Sequence, residues 1–188
     1  MNKLNPNQTK FYEFLNGGIE KDVFEKWIYN NQGLEDEFPE DIYIDLNSFP
    51  FKLGDTKSYI RKLVISFYNY EEYELWRTIN LLRKISENEI EIVLATRKLR
   101  RLYLEQEQIL ASAFITSKLG IGFESVLDEC PIEAEYSNWS NLALKKYNKI
   151  VEHYKNDFIM TTKNELSKLL TSWSLKFPSN RAESGYTE

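Results

Sequence analysis

Apolar residues recur at helical spacing along most of the chain. The clearest repeat lies between residues 71 and 87 and consists of Tyr73, Trp76, Ile79, Leu82 and Ile85. Spacings of three and four residues place such side chains on one face of a helix. The same pattern predicts helices over residues 6–16, 20–31, 39–48, 56–69, 89–108 and 111–119, and it resumes from residue 139. Strand-like alternation is rare. The sequence therefore predicts an all-α, irregular bundle of about seven to nine helices.

Local signals predict where several of these helices begin and end. Gly17-Gly18 is expected to stop the first helix, and Asp55 is expected to cap the helix over 56–69. Pro39 suits the first helical position, where a missing N–H costs nothing. Residues 30–33 are interpreted as the exit of the second helix, and the pattern leaves open whether residues 86–88 separate two helices or form a kink.

Length and composition indicate one ordinary domain. A chain of 188 residues with 42% hydrophobic residues can bury a sizeable core. We expect a single helical domain over residues 1–177, with short helices and loops over 121–137. The last residues, 178–188, have no apolar face and are expected to be a disordered tail.

The compartment is predicted from cysteine usage and from the absence of long apolar runs. Cys130 is the only cysteine, so neither an intrachain disulfide nor a cysteine-based zinc site can form. No run has the signal-peptide pattern or the roughly 18–20 apolar residues of a membrane span. We therefore expect a soluble cytoplasmic protein that does not use a membrane as its partner.

Charge is distributed unevenly. Residues 1–60 contain eleven acidic and six basic residues, a net charge of −5 that equals the charge of the whole chain. A field of this sign repels nucleic acid and favours a basic partner. Six carboxylates in the segment 35–45 are the candidate partner-binding residues: Glu35, Asp36, Glu37, Glu40, Asp41 and Asp45.

Catalytic and metal-binding patterns are missing. An EF-hand loop needs ligands and a turn glycine where this acidic segment has Phe38-Pro39. His153 is the only histidine and no G-x-S-x-G turn is present, while Cys130 lies among acids that raise a thiol pKa. The glycine pairs lack the spacing and the lysine of a phosphate loop. We therefore expect no catalytic residue, no metal and no cofactor, and hence no enzyme.

A basic segment provides the alternative to an acidic docking surface. Its candidate nucleic-acid contacts are Arg83, Arg97, Arg100 and Arg101. Arg97 and Arg101 are one helical turn apart and could straddle phosphates. Glu105 and Glu107 follow, however, and the domain is acidic overall. A basic helix face that pairs with acidic neighbours, including the segment 35–45, is therefore favoured over nucleic-acid binding.

Residues 11–64 resemble a family of small bacterial proteins. The resemblance is carried by a glycine turn at 14–19 (FLNGGI), a helix at 24–29 (FEKWIY), an acidic pair of segments at 34–36 (LED) and 41–46 (DIYIDL), and a lysine-containing leucine helix at 60–63 (IRKL). These segments are similar to helical immunity-type proteins of polymorphic or contact-dependent toxin loci. The resemblance implies a helical fold without a shared active site.

Four functional hypotheses follow. The leading one is a non-enzymatic cytosolic helical protein-binding module, an immunity protein that covers the basic substrate-binding surface of a cognate toxin. The alternatives are a nucleic-acid-associated factor that uses the helix around Arg97–Arg101, a helical scaffold protein, and an enzyme with an unfamiliar helical site. The sequence leaves the oligomeric state open.

Overall fold

The computed structural model describes residues 4–52, 55–105, 111–120 and 140–176. These residues form α-helices and no β-strand, which confirms the all-α prediction. The helices are α1 (Pro6–Leu15), α2 (Lys21–Asn30), α3 (Gly33–Glu37), α4 (Glu40–Ser48), α5 (Thr56–Phe67), α6 (Tyr70–Ser86), α7 (Ile92–Glu105), α8 (Ala111–Gly120) and α9 (Asn141–Lys176). None of these helices is both long and apolar enough for a membrane span. The predicted loop region 121–137 and tail 178–188 lie outside the described residues.

Two predicted helix ends are confirmed in detail. Gly17 has a φ of +77°, and its N–H donates to Phe14 O at 3.0 Å while that of Gly18 donates to Glu13 O at 2.8 Å. This pair of bonds is the Schellman motif, whose left-handed residue favours glycine. Asp55 caps α5 by accepting a hydrogen bond from Ser58 N at 3.1 Å.

Other boundaries differ from the predictions. The predicted exit at residues 30–33 is followed at once by the short helix α3, which the hydrophobic pattern missed. Pro39 lies one residue before α4 as its N-cap, so the predicted start is displaced by one position. Helices α6 and α7 are separate, and Asn88 between them has a φ of 57°. The end predicted for α7 at residue 108 lies outside the described residues.

The chain divides into two compact units, residues 2–73 and 74–188, with the boundary inside α6. They are described below as the N-terminal and the C-terminal unit. The prediction that residues 1–177 form a single domain stays a prediction.

The N-terminal unit has an aromatic core centred on α1. The Phe11 side chain is fully buried and makes edge contacts with Phe24, Trp27 and Phe38, at ring-centroid distances of 5.5, 5.4 and 5.6 Å. Phe14 stacks on Phe24 at 4.0 Å. Edge and offset arrangements of this kind add to the stability that apolar burial provides. This cluster fixes α1 against α2 and the residues that lead into α4.

The C-terminal unit is built on α7, α8 and α9, which contact one another. Gly120, at the end of α8, is buried against the backbone of α7, and a Cβ at this position would lie 2.8 Å from Arg100 N. Leu99 and Leu119 are fully buried, as is expected for two helices at close approach. The absence of a side chain at Gly120 thus permits this packing.

A buried carboxylate links α8 to α9. Glu165 is only 3% exposed, and its side chain accepts hydrogen bonds from Lys118 and Lys168. Burial raises the pKa of Glu165, but the hydrogen bonds and charges of the two lysines outweigh this effect, so the pKa lies below its ordinary value. The two ammonium groups remain largely in water. The ion pairs are therefore expected to stabilise the contact.

This arrangement predicts a pH-dependent loss of stability. Because the folded pKa of Glu165 is below its ordinary value of 4.5, its ion pairs stabilise the fold fully above that pH, and this contribution disappears as the pH falls through the folded pKa. Glu165→Gln should therefore lower the free energy of unfolding by about 1–2 kcal/mol at pH 7 and by progressively less below pH 4.5.

The measurement is urea unfolding followed by circular dichroism across this pH range. Glu152→Gln, at an exposed position of the same helix, is the matched control and should change stability little at any pH. A Glu165→Gln effect of equal size at pH 7 and pH 3 would show that the ion pairs do not supply it.

Candidate protein-docking surface

Helix α4 has one exposed face and one core face. The exposed residues are Glu40, Asp41, Ile44, Asp45 and Ser48, here called the α4 face. At 100° per residue they occupy one continuous side of the helix. Leu46 lies on the opposite side and is fully buried, with Ile42 and Tyr43 half-buried beside it. The sequence folds this way because only that side carries apolar side chains that can reach the core.

Ile44 is the exception on the α4 face. Its side chain is 55% exposed, with Glu40 and Ser48 one turn to either side and Asp41 three residues before it. Covering it would contribute on the order of 1 kcal/mol. An apolar centre within a charged rim is the usual anatomy of a protein interface.

Sequence reasoning did not include Ile44 among the candidate contacts. The sequence nevertheless indicates that Ile44 is exposed, because it does not lie on the helical stripe that Ile42 and Leu46 share. A helical wheel drawn for residues 40–48 would have placed it among the acidic residues.

Helix α3 adds two exposed carboxylates, Glu35 and Asp36, and it contacts α4. Within the described part of the N-terminal unit, no lysine forms an ion pair with these two residues or with the three carboxylates of the α4 face. Five of the six predicted partner-binding residues are therefore exposed and form no ion pair with a cation among the described residues of their own unit. Whether they pair with Arg97–Arg101 stays a hypothesis.

Glu37, the sixth predicted residue, is bonded inside its own unit. Its carboxylate accepts hydrogen bonds from Asn5 Nδ2 at 2.7 Å, from Asn7 Nδ2 at 2.6 Å and from the Tyr68 hydroxyl at 2.6 Å. Burial, together with the hydrogen bond and the charge of Glu37, raises the pKa of Tyr68 well above its ordinary value. This network holds α3 to the start of α1 and to the end of α5. Its geometry gives Glu37 a structural role.

A second buried polar contact was also missed from the sequence. The Gln8 amide donates to the Tyr12 hydroxyl at 2.9 Å and to Glu72 Oε2 at 2.6 Å. Burial raises the pKa of Glu72, and the Gln8 hydrogen bond opposes that rise. The Gln8 amide thus joins the Tyr12 hydroxyl to the Glu72 carboxylate, and this contact holds α1 against the first turn of α6.

The predicted basic residues lie on two helices of the C-terminal unit. Arg97, Arg100 and Arg101 are exposed on α7, while Arg83 is half-buried on α6. The structure thus brings three of the four to one helix, as the spacing predicted.

Glu105 offsets part of this positive charge. It accepts hydrogen bonds from Arg101 Nε at 2.6 Å and from Arg77 at 2.9 Å. Burial raises the pKa of Glu105, but the two guanidinium groups prevail and the pKa lies below its ordinary value. Arg101 therefore has an intramolecular partner one turn along its own helix.

The described residues contain no group of three or more histidine, cysteine, aspartate or glutamate side chains placed to hold a metal ion. His153 is exposed on α9 beside Tyr154, with ring centroids 4.8 Å apart, and Cys130 lies outside the described residues. Comparison of the chain with protein-family models, curated proteins and solved structures finds no match.

Proposed function

We propose that this protein is a non-enzymatic, cytosolic protein-binding module of the immunity type. In this proposal the α4 face, with Glu35 and Asp36, docks on the basic substrate-binding surface of a toxin and blocks it sterically. The observation that carries the proposal is Ile44, an exposed apolar side chain in the middle of carboxylates that form no ion pair with any lysine of residues 4–52 and 55–73.

The physical mechanism has two parts. The carboxylates attract a basic partner over distances of about 10 Å, which raises the association rate. Once contact is made, burial of Ile44 and desolvation of the nearest charge pairs slow dissociation. Because α4 is anchored by the fully buried Leu46, we expect this surface to lose little conformational entropy on binding.

The experiment measures binding to the product of the gene adjacent to the one that encodes this chain. We expect the triple variant Glu40→Lys, Asp41→Lys, Asp45→Lys to weaken binding by about tenfold or more at low salt. The effect should shrink at high salt, because screening removes the long-range attraction. Ile44→Ser should weaken binding at every salt concentration, since it removes the apolar centre without changing the charge.

The matched control reverses three exposed glutamates elsewhere: Glu87→Lys, Glu89→Lys and Glu152→Lys. This triple changes the net charge by the same amount but leaves the α4 face intact. If both triples weaken binding equally, only net charge matters and the docking surface is wrong. If neither triple nor Ile44→Ser has an effect, the α4 face is not the interface.

A second candidate function is a nucleic-acid-associated factor, which the three exposed arginines of α7 favour. Binding to labelled duplex DNA or single-stranded RNA should then be detectable at low salt and fall steeply as salt rises. Arg97→Gln with Arg100→Gln should reduce both the affinity and the salt slope. Absence of binding at low salt would exclude this candidate.

A further inference from the structure

A groove lies in the C-terminal unit between the first turns of α7 and α9. It has a volume of about 480 Å³, and its lining residues are Glu91, Val93, Leu94, Arg97, Leu144, Tyr147 and Asn148. The lining runs from residue 91 to residue 97 on one side and from residue 144 to residue 148 on the other, which corresponds to about 9 Å and 6 Å along the helix axes. These lengths are too short for a docked peptide helix and suit a small molecule.

The floor of the groove is a fixed polar contact. Glu91 caps α7 by accepting hydrogen bonds from Val93 N at 3.0 Å and Leu94 N at 3.1 Å, and it also accepts one from the Tyr147 hydroxyl. These three hydrogen bonds occupy three of about four acceptor sites of the Glu91 carboxylate, so this group is engaged within the protein. The start of α9 is capped in turn by Ser140, which accepts from Ala143 N at 3.2 Å.

The remaining lining is apolar with a positive edge. Val93, Leu94 and Leu144 form the apolar part, and Leu94 is 45% exposed. Arg97 lies one turn after Val93 and is exposed. A guanidinium carries five donors and can bind a carboxylate in addition to a protein partner. Both helices begin near this groove, so the positive ends of their dipoles add to the positive charge of Arg97 there.

We propose that this groove binds a small amphipathic carboxylate. The apolar part of the ligand lies on Val93, Leu94 and Leu144, and its carboxylate binds the Arg97 guanidinium. This activity is independent of the α4 face, which belongs to the other unit.

The test uses octanoate as the probe and the full chain labelled with ¹⁵N. We expect octanoate to shift the amide resonances of residues 91–97 and 144–148 in a saturable manner. Arg97→Gln should weaken binding by about tenfold or more, since it removes hydrogen bonds to a charged group. Leu94→Ser should also weaken binding, whereas Arg101→Gln, one turn further along α7, should leave it unchanged.

Three results would overturn the proposal. One is the absence of saturable shifts at the groove in the low-millimolar range. Another is an equal effect of Arg97→Gln and Arg101→Gln, which would indicate attraction to the overall charge of α7. The third is equal affinity for octylamine, which would show that apolar contact alone retains the probe.

Discussion

Replacing Phe11 by alanine is expected to lower the free energy of unfolding by about 3–5 kcal/mol. Phe11 is fully buried, and four aromatic rings contact it: Phe24, Trp27, Phe38 and Tyr68. The substitution removes the apolar burial of one ring and leaves a cavity that rigid neighbouring rings cannot fill. Domains of this size have a total stability of about 5–15 kcal/mol, so the loss would be a large share of it.

The measurement is urea unfolding followed by far-ultraviolet circular dichroism. Phe11→Leu keeps most of the side-chain volume, so the packing change should lower the free energy of unfolding by less than about 1.5 kcal/mol. The loss of the aromatic contacts adds to this decrease. Val23→Ala is the exposed control, because Val23 is 55% exposed on α2, and it should stay within about 0.5 kcal/mol of the unmodified chain. If Phe11→Ala costs no more than Val23→Ala, the aromatic cluster is not the core of the N-terminal unit.

The long helices could be predicted from the sequence because their information is local. The repeat at Tyr73, Trp76 and Ile79 requires only that one face be buried, whatever buries it. Caps are local as well, since Asp55 bonds a backbone N–H three residues away. Positions 17 and 18 likewise complete a hydrogen-bonding motif with the preceding turn.

Helix α3 could not be predicted in the same way. It has five residues, which is too short for a periodic pattern and too short to be stable in isolation. Its stability comes from the burial of Leu34 and from Asn31, whose side chain accepts the Gly33 N–H at 3.2 Å. Glu37, at the last position of α3, accepts hydrogen bonds from Tyr68 and Asn5, which are separated from it by 31 and 32 positions in the sequence. Tertiary contacts therefore decide whether this segment is helical.

Only part of the candidate docking surface could be predicted, because tertiary contacts also decide which of its carboxylates are exposed. In the sequence all six carboxylates between 35 and 45 look equivalent, and charge counting cannot separate them. The fold distinguishes Glu37, which is bonded internally, from the exposed residues of the α4 face. Ile44, by contrast, follows from helical geometry once α4 is accepted as a helix.

Gly120 shows how a local interpretation can be incomplete. The pattern predicts a helix over residues 111–119, and the structure describes α8 over Ala111–Gly120. The structure adds that a Cβ at this position would lie 2.8 Å from Arg100 N, 3.0 Å from Arg100 Cα and 3.0 Å from Leu99 C. All three atoms belong to the main chain of α7. No rotamer change can relieve the clash, so α7 and α8 would have to separate.

Gly120→Ala is therefore expected to destabilise the C-terminal unit by about 1–3 kcal/mol. Helix propensity acts in the opposite direction, because alanine is favoured over glycine by about 1 kcal/mol in a helix interior. The clash of the added Cβ with the α7 backbone, at 2.8 Å from Arg100 N and 3.0 Å from Arg100 Cα, should outweigh that gain.

A size series separates the two effects. Gly120→Val should lower the free energy of unfolding more than Gly120→Ala does, since a larger side chain forces α7 and α8 further apart. The control is Lys98→Ala, at an exposed position of α7, which should change stability by no more than about 0.5 kcal/mol. Hydrogen exchange of α7 and α8 amides locates the loss, because a forced separation lowers protection in both helices. If Gly120→Ala instead raises the unfolding midpoint, helix propensity dominates and the close approach of α7 and α8 is wrong.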